Sequence, residues 1–305
     1  MFRRPNRTSL GRFIWLLDMF AITTGDSRLL LNEYPTQTFH ACITDPPYGM
    51  KMAAWDRTVP PVELWQEVYR TLRPGAFCLA FCSPQLYHRL AVNIEDAGFL
   101  VKDQIMWMTT TKMPKYNLLK PAHEPIVVAQ KPLDGTIAHN FEIWGCGSIN
   151  TVSTRIPWDK KPPTGWVANG ASRRTFGAAG KTTGTQKEFG TVDANPNGRY
   201  PSNIIGEVQA EHQKYFYAPR ATRKEKGPNN QHPTVKPISL MSYLIDIYSP
   251  AGTTVLDPFC GSGTTGVAAL QSGRSFVGFD IDPTYSAVAT SRCTAVSKDS
   301  LFPSV

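Results

Sequence analysis

Leu256-Asp257-Pro258-Phe259-Cys260-Gly261-Ser262-Gly263-Thr264-Thr265 decides the fold of this chain. The preceding Thr253-Thr254-Val255-Leu256 is β-branched and apolar, the composition of a buried strand. Thr264 starts a stretch with helical character. Between strand and helix, Gly261 and Gly263 remove side chains, so a ligand can approach the backbone. The first N–H groups of the helix are then available to a carboxylate. A second strand follows and closes on Gly278-Phe279-Asp280. An acid about 20 residues beyond the glycine turn binds ribose hydroxyls, with Asp282 as the runner-up. Gly266 completes a G-x-G-x-x-G spacing, so the turn by itself also admits a nicotinamide dinucleotide.

Working outward, the same alternation runs along most of the chain. Apolar runs at 21–24, 39–44, 76–82, 100–108, 126–129, 253–256 and 275–280 read as strands. Helical spacing falls at 29–31, 61–72, 84–97, 238–248, 264–272 and 284–294, with Arg73-Pro74-Gly75 and Gly98 as stops. This pattern predicts an α/β fold with a doubly wound, mostly parallel sheet. The alternation halts near Pro132 and resumes after Pro237. The expected organisation is an N-terminal extension at 1–18, a first half of the sheet at 19–132, an irregular insert at 133–230 and a second half at 231–305. Met19 offers a start of its own, which would leave 1–18 dispensable.

Thr44-Asp45-Pro46-Pro47-Tyr48-Gly49 follows the apolar run 39–44. It therefore lies at the carboxyl end of a strand, where open α/β sheets bind ligands. Proline cannot donate, so the local carbonyls stay available as acceptors. An exocyclic amine has two N–H donors. The Asp45 carboxylate can accept one and the Pro46 carbonyl the other, which draws the nitrogen lone pair out of the ring and makes it a better nucleophile. Tyr48 would stack on the base, a contact worth about 1–3 kcal/mol. A base inside a duplex is out of reach, so it must be flipped out.

With both motifs in place, the chain resembles the S-adenosylmethionine-dependent DNA amino-methyltransferases of the β-group. In that group the catalytic motif precedes the recognition region and the cofactor motif comes last. The resemblance runs from about Ile22 to Thr294. It implies a Rossmann-like methyltransferase with circularly permuted motif order. Asp45, Pro46, Pro47 and Tyr48 match the catalytic motif. Phe259-Cys260-Gly261-Ser262-Gly263 matches the methionine-binding motif, so the expected cofactor contacts are Asp257, Phe259, Gly261, Ser262, Gly263 and Thr264, with Asp280 as the ribose acid read above. His232-Pro233-Thr234-Val235-Lys236-Pro237 resembles a cofactor-side motif, implying cofactor contacts from Thr234 and Lys236. Gly25-Asp26 resembles the strand end whose acid faces the cofactor adenine. Trp107 and His123-Glu124-Pro125 fall where the family builds the rest of its target pocket. Tyr87-His88-Arg89, Glu95 to Phe99 and Gly198 to Asn203 are similar to a phage and prophage branch.

The resemblance implies S-adenosylmethionine as cofactor, no metal, and direct in-line transfer to adenine N6 in double-stranded DNA. Cytosine N4 is the nearest alternative, and Asp at position 45 leans toward adenine. Protein glutamine methylation usually goes with Asn there, and the cytosine carbon-5 reaction needs a Pro-Cys pair that does not appear. A non-catalytic DNA-binding module is the alternative from another class. A homodimer, a cognate restriction endonuclease and the recognised DNA site stay open.

Charge supports a polyanionic partner. Net charge is +8, and the stretch 133–230 holds 13 Arg and Lys against 8 Asp and Glu. Arg155, Lys160, Lys161, Arg173, Arg174, Lys181 and Arg199 are interleaved there with Trp158, Trp166 and Phe176, a composition suited to phosphate and base contacts. A second basic run spans Arg220 to Lys226. The six cysteines form no CxxC pair and sit in apolar segments, as reduced thiols of a cytoplasmic protein do. No segment approaches the roughly 20 apolar residues of a membrane helix, so no membrane partner is expected.

Overall fold

A computed structural model of the chain describes residues 19–51, 55–109, 121–157, 165–166, 191–192, 198–206, 223–226 and 235–301. These fall into two compact units, a smaller one within 151–201 and a larger one formed by the rest. The larger unit begins with β1 (Phe20–Thr24), α1 (Ser27–Leu31), β2 (Phe39–Thr44), α2 (Val62–Thr71), β3 (Leu72–Phe81) and α3 (Tyr87–Asp96). It continues through β4 (Leu100–Met108), β5 (His123–Gln130) and α4 (Ile137–Trp144). The smaller unit contributes the two-residue strands β6 (Gly165–Trp166) and β7 (Thr191–Val192), paired antiparallel. The larger unit then resumes with β8 (Ile204–Gly206), α5 (Arg223–Lys226), α6 (Ile238–Tyr248), β9 (Thr254–Asp257), α7 (Thr264–Gln271), β10 (Ser275–Asp280) and α8 (Pro283–Leu301).

One eight-stranded sheet carries the larger unit, in the order β1-β10-β9-β2-β3-β5-β4-β8. Only β5 runs antiparallel to its neighbours, β3 and β4. The strands are apolar on both faces because helices cover both. Ile43, Leu79, Phe81, Val255 and Phe276 pack with Leu240, Met241 and Leu244 of α6 and Ala268 and Ala269 of α7. The alternate residues Cys42, Cys78, Ala80, Leu256 and Val277 pack with Leu31, with Leu64, Trp65 and Val68 of α2, and with Leu90 and Ile94 of α3. That is the period of two expected of parallel strands buried on both sides.

The Rossmann-like, doubly wound fold is present, and β2, α6 and β10 fall where expected. Two differences stand out. Arg73-Pro74-Gly75 does not lie between helix and strand but inside β3, which takes over directly from α2. The register against β2 jumps there from Phe39↔Leu72 to Ala41↔Phe77, and the excess residues bulge around Gly75 at φ 77°. A Cβ on Gly75 would stand 2.4 Å from Asn140 Nδ2, which donates to the Pro74 and Cys146 carbonyls. The stretch 133–230 is not uniformly irregular: α4 lies on the larger unit, and β8 extends the sheet beside β4 with Met106 opposite Ile204. No described helix is long and apolar enough to cross a membrane.

Candidate active site

The site follows from the sheet order. β9 and β10 come from the last quarter of the chain, yet they lie between β1 and β2. All four run parallel, with Thr24 opposite Asp280, Gly278 opposite Asp257, and Cys42 opposite Leu256. Their carboxyl ends therefore reach one edge together and deliver Asp26, Asp280, Asp257 and Asp45 side by side. There they line a single cleft of about 360 Å³, within the range of small-molecule sites. The glycine bend lines it through Gly261, Ser262, Thr264 and Thr265, and the acid–proline corner through Asp45, Pro46, Pro47 and Tyr48.

At the bend, the Asp280 carboxylate accepts the Gly261 N–H at 2.8 Å and the Asp282 N–H at 2.9 Å, one on each oxygen. Burial pushes its pKa above the ordinary value, and those two hydrogen bonds draw it back. Each oxygen keeps a second lone pair for a ligand hydroxyl. Asp257 accepts the Thr265 hydroxyl at 2.6 Å and the Phe259 N–H at 3.1 Å. Burial outweighs these bonds and lifts its carboxyl to about 6. Arg292, from α8, donates to the Ser262 carbonyl at 2.6 Å and clamps the bend from behind. Asp26 caps α1 by accepting the Arg28 N–H at 3.0 Å, and it pairs with the Arg28 guanidinium at 2.6 Å.

At the corner, four polar side chains converge. Tyr48 donates its hydroxyl to Asp45 Oδ1 at 2.5 Å and lies 3.1 Å from Glu124 Oε2. Lys236 Nζ forms an ion pair with Asp45 Oδ2, and stands 3.3 Å from the Tyr48 oxygen and 3.6 Å from Glu124 Oε2. Burial raises the Asp45 pKa, Lys236 lowers it and Glu124 adds to the rise. For Lys236 burial opposes the charge, but the two carboxylates prevail and raise its pKa. The loop after Tyr48 is pinned by buried Asp56, which accepts the Gly49 and Met50 N–H groups at 2.7 and 3.1 Å.

Residues 39–291 match the N6/N4 DNA methylase family. The chain belongs to that family. Its S-adenosylmethionine-dependent DNA amino-methyltransferases include relatives along nearly the whole chain. The type II methyltransferase M.HindIII of Haemophilus influenzae is 25% identical over 304 residues, covering 85% of this chain and 90% of its own. M.ScaI of Streptomyces caespitosus is 24% identical over 313 residues, covering 97% of this chain and 88% of its own. Among solved structures, the cytosine-N4-specific PvuII DNA methyltransferase shares the fold at a TM-score of 0.55 and 15% identity, over 92% of each chain.

Most residues singled out in this DNA methyltransferase's sequence meet in the cleft. Asp26, Asp45, Pro46, Pro47, Tyr48, Lys236, Asp257, Phe259, Gly261, Ser262, Thr264 and Asp280 all line it. Gly263 does not. At φ 80° it caps α7, and a Cβ there would stand 2.7 Å from that of Ala289. Gly266 likewise packs inward, a Cβ meeting the Phe276 ring at 2.7 Å, so the third glycine of the dinucleotide spacing serves packing. Asp282 is off the cleft too, accepting the Thr284 N–H at 2.7 Å at the start of α8. Lys236 reaches across the cleft to Asp45. Thr234, Lys160, Lys161, Arg173, Arg174, Lys181, Trp158 and Phe176 lie outside the described residues. Within the smaller unit, Arg155 donates to the Gly198 carbonyl at 2.8 Å and covers the Tyr200 ring at 4.2 Å, while the Arg199 backbone pairs with Ile156. Asp56 and Arg292 went unnoticed in the sequence because neither belongs to a motif; their roles rest on contacts made by folding.

Proposed function

We propose that this enzyme transfers a methyl group from S-adenosylmethionine to the exocyclic N6 amine of an adenine flipped out of duplex DNA. The observation that carries the reading is the shared cleft. The bend and the corner come from opposite ends of the chain, and side by side they suit two ligands that must meet. The residues present fit the donor: Asp280 would accept from its ribose hydroxyls, and Ser262 and Thr264 at the start of α7 would hold its carboxylate. The carboxylates of the cleft favour a cation. When bound, the donor supplies an activated methyl group on a sulfonium.

The chain's own residues then handle the base. Asp45 accepts one amine N–H and the Pro46 carbonyl the other, which raises the nucleophilicity of the nitrogen and aims its lone pair. Tyr48, held by Asp45 and Glu124, presents an aromatic wall at a fixed angle. As positive charge develops on the amine, Asp45 and Glu124 stabilise it electrostatically. Asp45 is also placed to take the proton that the amine sheds.

Asp45 supports adenine as the target, although the same corner would serve cytosine N4. The cations of 133–230 support duplex DNA as the partner, with the cytoplasm as the setting. Expressing the chain in a host and mapping modified bases by long-read sequencing tests base and site together. N6-methyladenine at a fixed sequence is expected. N4-methylcytosine would reassign the target, and unmodified DNA would overturn the proposal.

A further inference from the structure

The sequence motif implied that Lys236 contacts the cofactor, and the structure gives its ammonium other partners. Lys236 directly precedes Pro237, whose fixed φ of −65° starts α6, so the backbone that presents it is rigid. Its side chain is 8% exposed. The ammonium stands 5.1 Å from the Phe81 ring centre, 5.5 Å from Tyr48 and 6.0 Å from Trp107. Those rings leave the carboxylates as its strong partners. Asp45 Oδ2 is its ion-pair partner, while Tyr48 donates to Oδ1. Two donors on opposite oxygens fix the plane of a carboxylate.

We propose that Lys236 is a positioning residue for methyl transfer: shared between Asp45 and Glu124, its ammonium holds the Asp45 carboxylate oriented and ionised to accept the substrate amine. The inference deepens the proposed amine methylation and rests on it. The groups that face Asp45 are Lys236, Tyr48, Glu124 of β5, Cys82 just beyond β3, and Asp257 of β9. Lys236 is the one cation among them. Without it, half-buried Asp45 would confront two buried acids, Glu124 and Asp257, and one of the three would take up a proton. A protonated Asp45 is a weak acceptor and no longer polarises the amine.

Charge alone gives Lys236 and Glu124 opposite effects on Asp45, and the test uses that opposition. Lys236→Met, Lys236→Arg and Glu124→Gln are compared with wild type in three measurements. Calorimetry gives S-adenosylmethionine affinity and reports folding of the cleft. Single-turnover methylation of duplex DNA is followed against pH. Asp45 is titrated by carbon-13 NMR of labelled aspartate without DNA, the signal being assigned with Asp45→Asn. Lys236→Met should keep its donor affinity, lose about 100-fold in single-turnover rate, and shift the acid limb upward by about 1–3 pH units. Lys236→Arg should return the limb toward wild type, and Glu124→Gln should move it to lower pH. Weakened donor binding with an unmoved limb would make Lys236 a cofactor contact and overturn the proposal, as would shifts of the same sign in Lys236→Met and Glu124→Gln. The titration needs no turnover. An unmoved Asp45 signal in Lys236→Met defeats this inference alone, whereas a wild-type enzyme that methylates nothing defeats the proposed function.

Discussion

Asp45 and Asp280 are both carboxylates at strand ends, and their partners divide their work. Asp45 is tied to side chains, Tyr48 and Lys236, whereas Asp280 is tied to backbone N–H groups of the bend and of the turn before α8. Asp45→Ala should lower single-turnover methylation by at least about 100-fold and leave S-adenosylmethionine affinity near wild type by calorimetry. Asp280→Ala should do the reverse at first contact. Losing charge-assisted hydrogen bonds of about 1.5–3 kcal/mol should weaken donor affinity by about ten-fold or more. An unchanged dissociation constant would return the ribose role to Asp282, whose present partner makes it a cap of α8. Asp257 carries a pH signature. Its folded pKa of about 6 stands above the ordinary 3.8, so the native state holds its proton more tightly than the unfolded chain. That contribution to stability is complete below about pH 4 and is lost as pH rises through about 6. Asp257→Asn should therefore gain on wild type between those limits, by on the order of 2–3 kcal/mol, in urea unfolding at a series of pH values. A gap independent of pH would place Asp257 in a wetter setting than the cleft floor.

At the scale of elements, α7 carries both halves of the bend's design. Its start faces the cleft, while its glycines face α8 and β10. Gly266→Ala should destabilise the protein by about 1–3 kcal/mol in urea unfolding, because Phe276 and Cys293 are both buried and cannot step aside. A neutral substitution would mean that the two helices separate more readily than their packing implies. The same element shows why parts of the fold were legible. β2, α6 and β10 announce themselves by continuous apolar runs between clear turns. The entry of β3 was not legible, since Pro74 and Gly75 signal a break by local rules and only Asn140, far along the chain, shapes the bulge. The reversed direction of β5 has no signature, because a strand buried on both faces reads alike either way. β8 is three residues long, too short for periodicity to register. In the site, the motif residues could be found by spacing. The bond from Lys236 to Asp45 spans 191 residues and has no local trace.

For the molecule as a whole, permuted order and shared cleft are one fact. A chain in which β9, α7 and β10 follow all the other strands brings its glycine bend beside Asp45 by inserting β9 and β10 between β1 and β2, and the sheet is built that way. The same burial silences the thiols. All six cysteines are free and buried, and burial pushes Cys82 and Cys293 up to about 12 and Cys146 up to about 11. A thiol reagent at pH 8 should label none of them in the native enzyme and all six after denaturation; rapid native labelling would show that the core opens. The account stands or falls on two ligands meeting at one strand edge, and a crystal structure with S-adenosylhomocysteine tests that most directly. It predicts the ribose on Asp280 and the sulfur turned across the cleft toward Asp45 and Tyr48. A product molecule bound elsewhere, or with its sulfur turned away from Asp45, would contradict it.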